Sequence, residues 1–336
     1  MNRLLACGLM AAHLLCAGFS LADTFGSGAN SFDIDFVTIG NPGNPPDANP
    51  NPAGAVSYDY RMGTYEISEQ MIDKANALGG LAITKDSRGA DYPATSVTWY
   101  EAARFVNWLN TSSGSAAAYK FDGSGNFQLW TPSDAGYDSN NLFRNSLAKY
   151  FLPSVHEWHK AAYYNPSTGT YFTYPTGSNS VPDGIDFPGD PNFDAVFYDG
   201  GLNASPNLIS DVGIAGFYGT VGQGGNVAEW LETAFDRVNS SAGEQRGRRG
   251  GGWTDGPTLL AAWNSGIGVE PSSQGNFYGF RVAATVPEPN TLGLLVAGVS
   301  ALLITRRTCA VSSWRRCNRA AAFVTQVANI SWSDGI

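Results

Sequence analysis

The chain has 336 residues and a formal net charge of −9 at pH 7, and only 15% of its residues are charged, against about a quarter in an average protein. Forty glycines and eighteen prolines predict a globule rich in loops. Residues 23–289 carry 28 acidic and 14 basic residues, so nucleic acid is not an expected partner, because binding to it depends on a basic surface.

Residues 1–22 have the pattern of a secretory signal peptide. Arg3 precedes an apolar run, and the segment ends on a small-x-small cleavage pattern at Ser20–Ala22. A membrane anchor that stays attached is the alternative, but the short apolar core and the small residues favour cleavage. We expect the protein to be exported and its mature chain to begin at Asp23.

Residues 23–57 are expected to form an N-terminal strand and a loop. Residues 32–37 alternate apolar and polar side chains, which indicates a strand with one buried face. Asn, Pro and Gly dominate residues 40–55, as is typical of a loop. A second strand is predicted over residues 58–65, and Ser68 is placed to begin a helix.

Two further helices are predicted from capping boxes. Thr98 and Glu101 form the first box, and Ser154 and Glu157 form the second; each precedes apolar residues at helical spacing. The stretch from residue 165 to residue 225 shows little periodicity but many aromatic residues, which favours irregular, packed structure over disorder.

The four cysteines lie near the two ends of the chain, at Cys7, Cys16, Cys309 and Cys317. The expected mature domain between them contains no thiol and no disulfide, so its stability must come from a hydrophobic core, for which more than 250 residues are ample.

Five phrases in chain order carry a family resemblance. They are YPATSVTWYEAARFVNWLN at residues 92–110, LPSVHEWHKAA at 152–162, GNVAEW at 225–230, RGGGW at 249–253 and GFR at 279–281. Together they resemble the signatures of the formylglycine-generating, or sulfatase-modifying factor, family over residues 58–285. The resemblance implies an α+β, loop-rich fold related to C-type lectins, with a small twisted antiparallel sheet and flanking helices.

Enzymes of that family oxidise a sulfatase cysteine with Cu(I), which two cysteines hold shortly after the RGG phrase. Asp255 and Leu260 stand at the corresponding places in this chain. Because Cu(I) prefers soft thiolate ligands, the resemblance implies no copper and no catalytic residue here. The predicted function is therefore non-catalytic binding or structure at the cell surface. The alternative is an oxidoreductase or protein-modifying enzyme of the same family that uses a metal site the sequence does not reveal.

The two histidines outside the first segment, His156 and His159, are three residues apart on a predicted helix. An iron site like that of a sulfoxide-forming branch of the family would need further ligands, and the spacing differs from that of zinc proteases. We expect both side chains to lie on the exposed side of the helix.

The resemblance also implies a calcium site with hard oxygen ligands. Its ligands here would be the Glu229 side chain and the backbone carbonyls of Gly225 and Val227. Gly222 departs from the family, which usually has Asn or Asp there. The alternative is that Glu229 is a buried carboxylate paired with an arginine.

Trp253, Trp263, Tyr278 and Arg281 resemble residues that line the substrate groove of the family enzymes. They are predicted contacts for a peptide, a glycan or an exopolysaccharide. The alternative is that they are core residues, and for Arg281 an interior position would require a carboxylate or carbonyl partner.

Residues 286–307 contain a Val-Pro-Glu-Pro box, an apolar stretch over residues 291–304 and the arginine pair Arg306 and Arg307. That order resembles the PEP-CTERM sorting signal, which an exosortase reads. The apolar stretch is shorter than the roughly 20 residues of a spanning helix, so it suits a transient membrane anchor. We expect exosortase-type sorting and a periplasmic, cell-surface or extracellular-matrix location. The basic tail at residues 308–336 departs from that pattern.

Overall fold

The computed structural model describes residues 21–48, 52–184, 194–200 and 205–287. These ranges contain three α-helices and thirteen short strands. The helices are α1 (Glu69–Gly79), α2 (Trp99–Ser112) and α3 (Val155–Tyr163), with 3-10 turns at Gly28–Asn30 and Pro257–Leu259. The strands are β1 (Leu21–Phe25), β2 (Phe32–Ile39), β3 (Tyr60–Gly63), β4 (Lys120–Phe121), β5 (Phe127–Gln128), β6 (Tyr150–Phe151), β7 (Tyr164–Asn165), β8 (Thr170–Tyr171), β9 (Ala228–Ala234), β10 (Arg246–Arg249), β11 (Ile267–Val269), β12 (Tyr278–Gly279) and β13 (Ala283–Thr285).

Two sheets organise the fold. The first has the order β1-β2-β3-β13-β6 and is antiparallel throughout, so the last strand lies between β3 and β6. The second has the order β11-β10-β9-β12, in which β12 runs parallel to β9 and places Gly279 beside Glu229. Two small hairpins, β4-β5 and β7-β8, lie outside these sheets, and each of their strands has two residues.

The predicted N-terminal strand is confirmed as β2, in which four of the five apolar residues are buried and the three polar residues are exposed. Its partner β1 includes Leu21 and Ala22, which pair with Phe36 and Asp35. Cleavage after Ala22 would thus leave Asp23 at the start of this strand, where its carboxylate lies 2.7 Å from the guanidinium of Arg61.

The three predicted helices are confirmed with their caps. Ser68 caps α1, and the capping boxes of α2 and α3 are both complete, with each Glu side chain accepting a hydrogen bond from the N-cap backbone. Helix α2 ends at Ser112, three residues beyond the last apolar residue of its pattern. The local boxes satisfy backbone donors that a helix start leaves unpaired, which is why these starts are predictable.

Tryptophans from three family phrases anchor the core. Trp99, Trp158 and Trp230 are fully buried. The indole N–H of Trp99 donates to the Leu231 carbonyl at 2.9 Å, and that of Trp230 donates to the Val97 carbonyl at 2.8 Å. These bonds join the start of α2 to β9, so the indoles fill the core without leaving a buried donor unpaired.

The described residues up to Val286 lie in one compact unit, so the strand and loop of residues 23–57 belong with residues 58–285. No helix within the described ranges is long and apolar enough to cross a membrane. Nearly all of the predicted signal peptide, the sorting signal from residue 288 onward and the basic tail lie outside the described residues.

Candidate functional site

The centre of the family phrases is a buried ion pair between Glu229 on β9 and Arg281, which follows β12. Arg281 Nε lies 2.8 Å from both carboxylate oxygens, and Nη2 lies 2.6 Å from Oε1. The remaining donors of Arg281 reach the carbonyls of Gly63, Thr64 and Val221. Neither charged side chain is exposed, and all five guanidinium donors are used.

Trp158 is a further hydrogen-bond donor to Glu229, because its indole N–H donates to Oε2 at 2.6 Å. Both oxygens are thus occupied by donors, as expected for the buried-pair alternative. A calcium ion on Glu229 would have to displace Arg281, so the side chain as arranged does not fit that ligand role. Within the described residues, no three Asp, Glu, His or Cys side chains converge on a possible metal position. The calcium site at Gly225, Val227 and Glu229 stays a prediction.

Gly222, the departure from the family, lies against Glu66. A Cβ at position 222 would stand 2.9 and 3.0 Å from the two oxygens of the Glu66 carboxylate. Glu66 therefore occupies the space that a side chain at 222 would need. Sequence reasoning missed Glu66, because nothing in its local pattern marks it and its partner Asn226 lies 160 residues away.

The two positions at which the resemblance would place copper cysteines do not fit Cu(I). The Asp255 carboxylate accepts a hydrogen bond from the Gly252 N–H at 2.9 Å and thereby caps a turn. Leu260 is fully buried and packs with Tyr174 and Phe197. One position holds a turn together and the other fills the core, and neither offers a soft ligand.

The structure places the four predicted groove residues in different surroundings. Trp253 packs on Val196 and Val212. Trp263 is 49% exposed, whereas Tyr278 is half-buried against Trp230. No ring contact joins these three aromatic residues, all of which the structure describes. Arg281 lies in the core instead of a groove, because its charge is neutralised there by Glu229.

Sequence reasoning also missed Arg248, which lies in this region. Its guanidinium carbon is 3.8 Å from the ring centroid of Tyr278, and its Nε and Nη1 are buried without a hydrogen-bond partner. The cavity beside Arg248 and Asp255 has a volume of about 10 Å³, which is room for about one water molecule. This small cavity is closed to a larger ligand.

The expectation that both histidines are exposed is wrong. His159 is fully buried, with Nδ1 2.7 Å from Arg249 Nη1 and Nε2 3.0 Å from Asp47 Oδ2. Because arginine can only donate, Nδ1 accepts and Nε2–H donates to Asp47. Burial, together with the nearby charge of Arg249, lowers the pKa of His159 to about 4. His156 is partly buried, and burial lowers its pKa too.

A larger, polar cavity of about 530 Å³ opens elsewhere on the molecule. Its walls include Tyr58, Asp59, Asp138, Asn140, Asn141 and Arg144, and we call it the polar cavity. Arg144 holds two fully buried carboxylates, Glu157 at 2.8 Å and Glu232 at 2.6 Å. The Arg144 guanidinium holds the pKa of Glu157 down at about 2, against the effect of burial. The lining of the polar cavity therefore includes the charged Arg144, which two buried carboxylates hold, and several hydrogen-bonding side chains.

Comparison with known proteins supports the fold. The sequence-family model of the sulfatase-modifying factor enzyme 1-like domain matches residues 57–286. Treponema denticola variable protein 1 is 20% identical, with a TM-score of 0.59 over 79% of this chain and 99% of that chain. The crystal structure of CarF is also 20% identical, with a TM-score of 0.54 over 76% of this chain and 99% of that chain. No curated protein matches the sequence.

At these identities the two structures confirm the fold alone, which is the predicted α+β, loop-rich, formylglycine-generating-enzyme-like fold. The family model, by contrast, covers more than half of the chain. The chain therefore belongs to the sulfatase-modifying factor enzyme 1-like domain family.

Proposed function

We propose that this protein is exported and serves in binding or structure at the cell surface, without formylglycine-generating activity. One observation carries the proposal: Asp255 caps a turn and Leu260 lies in the core where the family enzymes place two copper-binding thiolates. Cu(I) held by thiolates is the oxidising centre of the family, and a carboxylate with an isobutyl group cannot replace it.

The polar cavity supports a binding role. Carboxylates, amides and the half-exposed Tyr58 line it, and a volume of about 530 Å³ lies within the range of about 300–1,000 Å³ that ligand sites have. Such side chains match the hydroxyl groups of a glycan, and an aromatic ring can cover the apolar face of a sugar. We therefore infer a glycan segment, for example of an exopolysaccharide, as the ligand class of this cavity.

The proposed location depends on the two ends of the chain. An exported protein that an exosortase processes would lose residues 1–22 and the segment that follows the Pro-Glu-Pro box. Intact mass spectrometry of the protein from its native host should give a chain that begins at Asp23 and ends near residue 289. A chain that still contains residues 291–336 would contradict sorting, and one that retains residues 1–22 would contradict signal cleavage.

The proposed absence of formylglycine-generating activity is tested with copper. The purified protein, incubated with Cu(I) and a sulfatase-motif peptide, should form no aldehyde, measured as peptide mass loss and by hydrazide capture. The variant Asp255→Cys/Leu260→Cys tests the correspondence of positions and should gain Cu(I) binding. The single variant Asp255→Cys is the matched control, because one thiolate cannot make the site.

Aldehyde formation by the unmodified protein would overturn the non-catalytic proposal. Stoichiometric copper or iron in the purified protein, measured by elemental analysis, would instead support the oxidoreductase alternative.

A further inference from the structure

The polar cavity carries more negative than positive charge. Its lining contains two carboxylates, those of Asp59 and Asp138, and one cation, Arg144. Arg144 is already neutralised twice, because it lies 2.8 Å from Glu157 and 2.6 Å from Glu232, and both of these carboxylates are fully buried. The guanidinium therefore offers no net positive charge to a ligand, and the lining creates a negative potential.

The strongest hydrogen-bond donors of the polar cavity are engaged within the protein. The Tyr58 hydroxyl donates to Glu157 at 2.7 Å, and Asn141 Nδ2 donates to Glu232 at 2.5 Å. All three guanidinium nitrogens of Arg144 donate to the same two carboxylates. A ligand that enters the cavity thus meets few strong donors that are still available.

The acceptors of the polar cavity, in contrast, are open. Asp59 is exposed, and its carboxylate forms no hydrogen bond and no ion pair with the residues that the structure describes. Asp138 Oδ1 accepts from the Asn140 N–H at 2.9 Å, whereas Oδ2 has no partner in the same part of the chain. Because hydrogen bonds between charged groups are the strong ones, such a lining favours a ligand that carries positively charged donors.

The basic residues around the polar cavity leave this charge largely in place. Lys149 lies 3.8 Å from Asp23, which it helps to neutralise. The charge of Lys160 interacts with that of Asp59, but its ammonium group is buried and donates to a backbone carbonyl at 2.9 Å. Within the described ranges, neither Asp59 nor Asp138 has a basic nitrogen within 4 Å.

Tyr58 supplies an aromatic surface beside these carboxylates. Its side chain is 48% exposed, while the hydroxyl bond to Glu157 fixes one end of it. The ring packs edge to face on Tyr60, with 6.2 Å between the centroids. An open aromatic ring can cover the apolar face of a sugar, and its negative face also attracts a cation. The ring and the carboxylates therefore favour the same kind of ligand, a sugar with a positive charge.

We propose that the polar cavity prefers amino sugars, which carry a free protonated amine, over neutral sugars, and that it rejects uronic acids. The ammonium group donates to Asp59 and Asp138, and the sugar ring packs on Tyr58. A uronic acid would instead place its carboxylate beside these two, with no available cation in the described lining to offset it. This inference rests on the proposed glycan role of the cavity and adds the class of sugar.

The test uses three tetrasaccharides with the same β-1,4 linkage: cellotetraose, the tetramer of glucosamine and the tetramer of glucuronic acid. Calorimetric titration of the purified protein at pH 5.5, at which the amine is protonated, should show binding of the glucosamine tetramer about fivefold or more tighter than that of cellotetraose, as expected for one or two exposed ion pairs. The glucuronic acid tetramer should not bind. Added salt should reduce the preference for the amine, because it screens exposed charges, and should leave cellotetraose binding unchanged.

Variants assign the preference to the two carboxylates. Asp59→Asn and Asp138→Asn each remove a charge and keep the size of the side chain. Each should weaken binding of the glucosamine tetramer about two- to fivefold and leave that of cellotetraose unchanged, and the double variant should lose the preference. Asp211→Asn, which changes an exposed carboxylate outside the polar cavity, is the matched control and should alter neither.

The outcomes separate the preference from the glycan role. Equal affinity for cellotetraose and the glucosamine tetramer, tighter binding of the glucuronic acid tetramer, or a preference that persists in the double variant would overturn the inference and leave the glycan role intact. Tyr58→Ala should weaken binding of cellotetraose and of the glucosamine tetramer alike. Unchanged binding in Tyr58→Ala, or no binding of any tetrasaccharide to the wild type, would overturn the glycan role of the polar cavity and the inference with it.

Discussion

Arg281 Nη2 lies 2.6 Å from Glu229 Oε1, and neither side chain has exposed surface. Glu229 belongs to the GNVAEW phrase and Arg281 to the GFR phrase, and the parallel pairing of β9 with β12 places the phrases side by side. Two of the phrases that identify the family therefore each supply one residue of a buried ion pair.

We expect Glu229→Gln to lower the free energy of unfolding by about 3–5 kcal/mol, because it leaves the buried charge of Arg281 without its counter-ion. Arg281→Met should cost a similar amount. The double variant Glu229→Gln/Arg281→Met should cost less than the sum, since it leaves no unpaired charge. Denaturant titrations of the four proteins measure the coupling, and strictly additive effects would contradict the ion pair.

Chelation provides a separate test of calcium at Glu229. Because Arg281 and Trp158 already occupy the oxygens of Glu229, the buried-pair alternative predicts that EDTA has the same effect on the thermal unfolding midpoint of the wild type and of Glu229→Gln. A midpoint that falls with EDTA in the wild type but not in Glu229→Gln would establish calcium at that residue, since a ligand that binds only the folded state stabilises it. An equal fall in both proteins would place calcium elsewhere.

Glu66 should make the protein less stable as pH rises from about 5 to about 8. Burial raises its pKa to about 8 in the folded state, so in this interval the unfolded chain has released a proton that the folded protein still holds. The free energy of unfolding therefore falls with increasing pH. Glu66→Gln should remove this contribution and flatten the curve, and an unchanged slope in the variant would contradict the raised pKa.

His159 should contribute the opposite slope at lower pH. Burial and Arg249 hold its folded pKa at about 4, below the ordinary histidine value of 6.5, so between pH 6.5 and pH 4 the unfolded state binds the extra proton. Stability from this group is therefore lost as pH falls through that window. His159→Phe lacks this titrating group, so its denaturant midpoint should fall less between pH 7 and pH 4.5 than that of the wild type.

The same variant should also be less stable at neutral pH. His159→Phe deprives Arg249 of an acceptor and Asp47 of a donor, which should cost about 1–3 kcal/mol at pH 7. His156→Phe is the matched control, because the partly buried His156 has a buried Nδ1 with no partner. A cost as large in the control would show that the loss does not come from the His159 contacts.

Local patterns in the sequence were sufficient for the elements that local bonds stabilise. The capping boxes at Thr98 and Ser154 satisfy donors within three residues, and the alternation of β2 depends only on which side chains face the core. The replacement of two thiols by Asp255 and Leu260 is likewise visible in the chain, because it concerns residue identity alone.

The tertiary structure alone decided which polar side chains are buried and what they contact. His159 was expected in solvent, but the loop that carries Asp47 covers that side of α3. Glu66 carries no local signal, and it is buried against Gly222 and against Asn226, which lies 160 residues later in the chain. The physical reason is that the solvation and the partners of a side chain depend on segments distant in sequence, whereas a helix cap or a strand face depends on neighbours a few residues away.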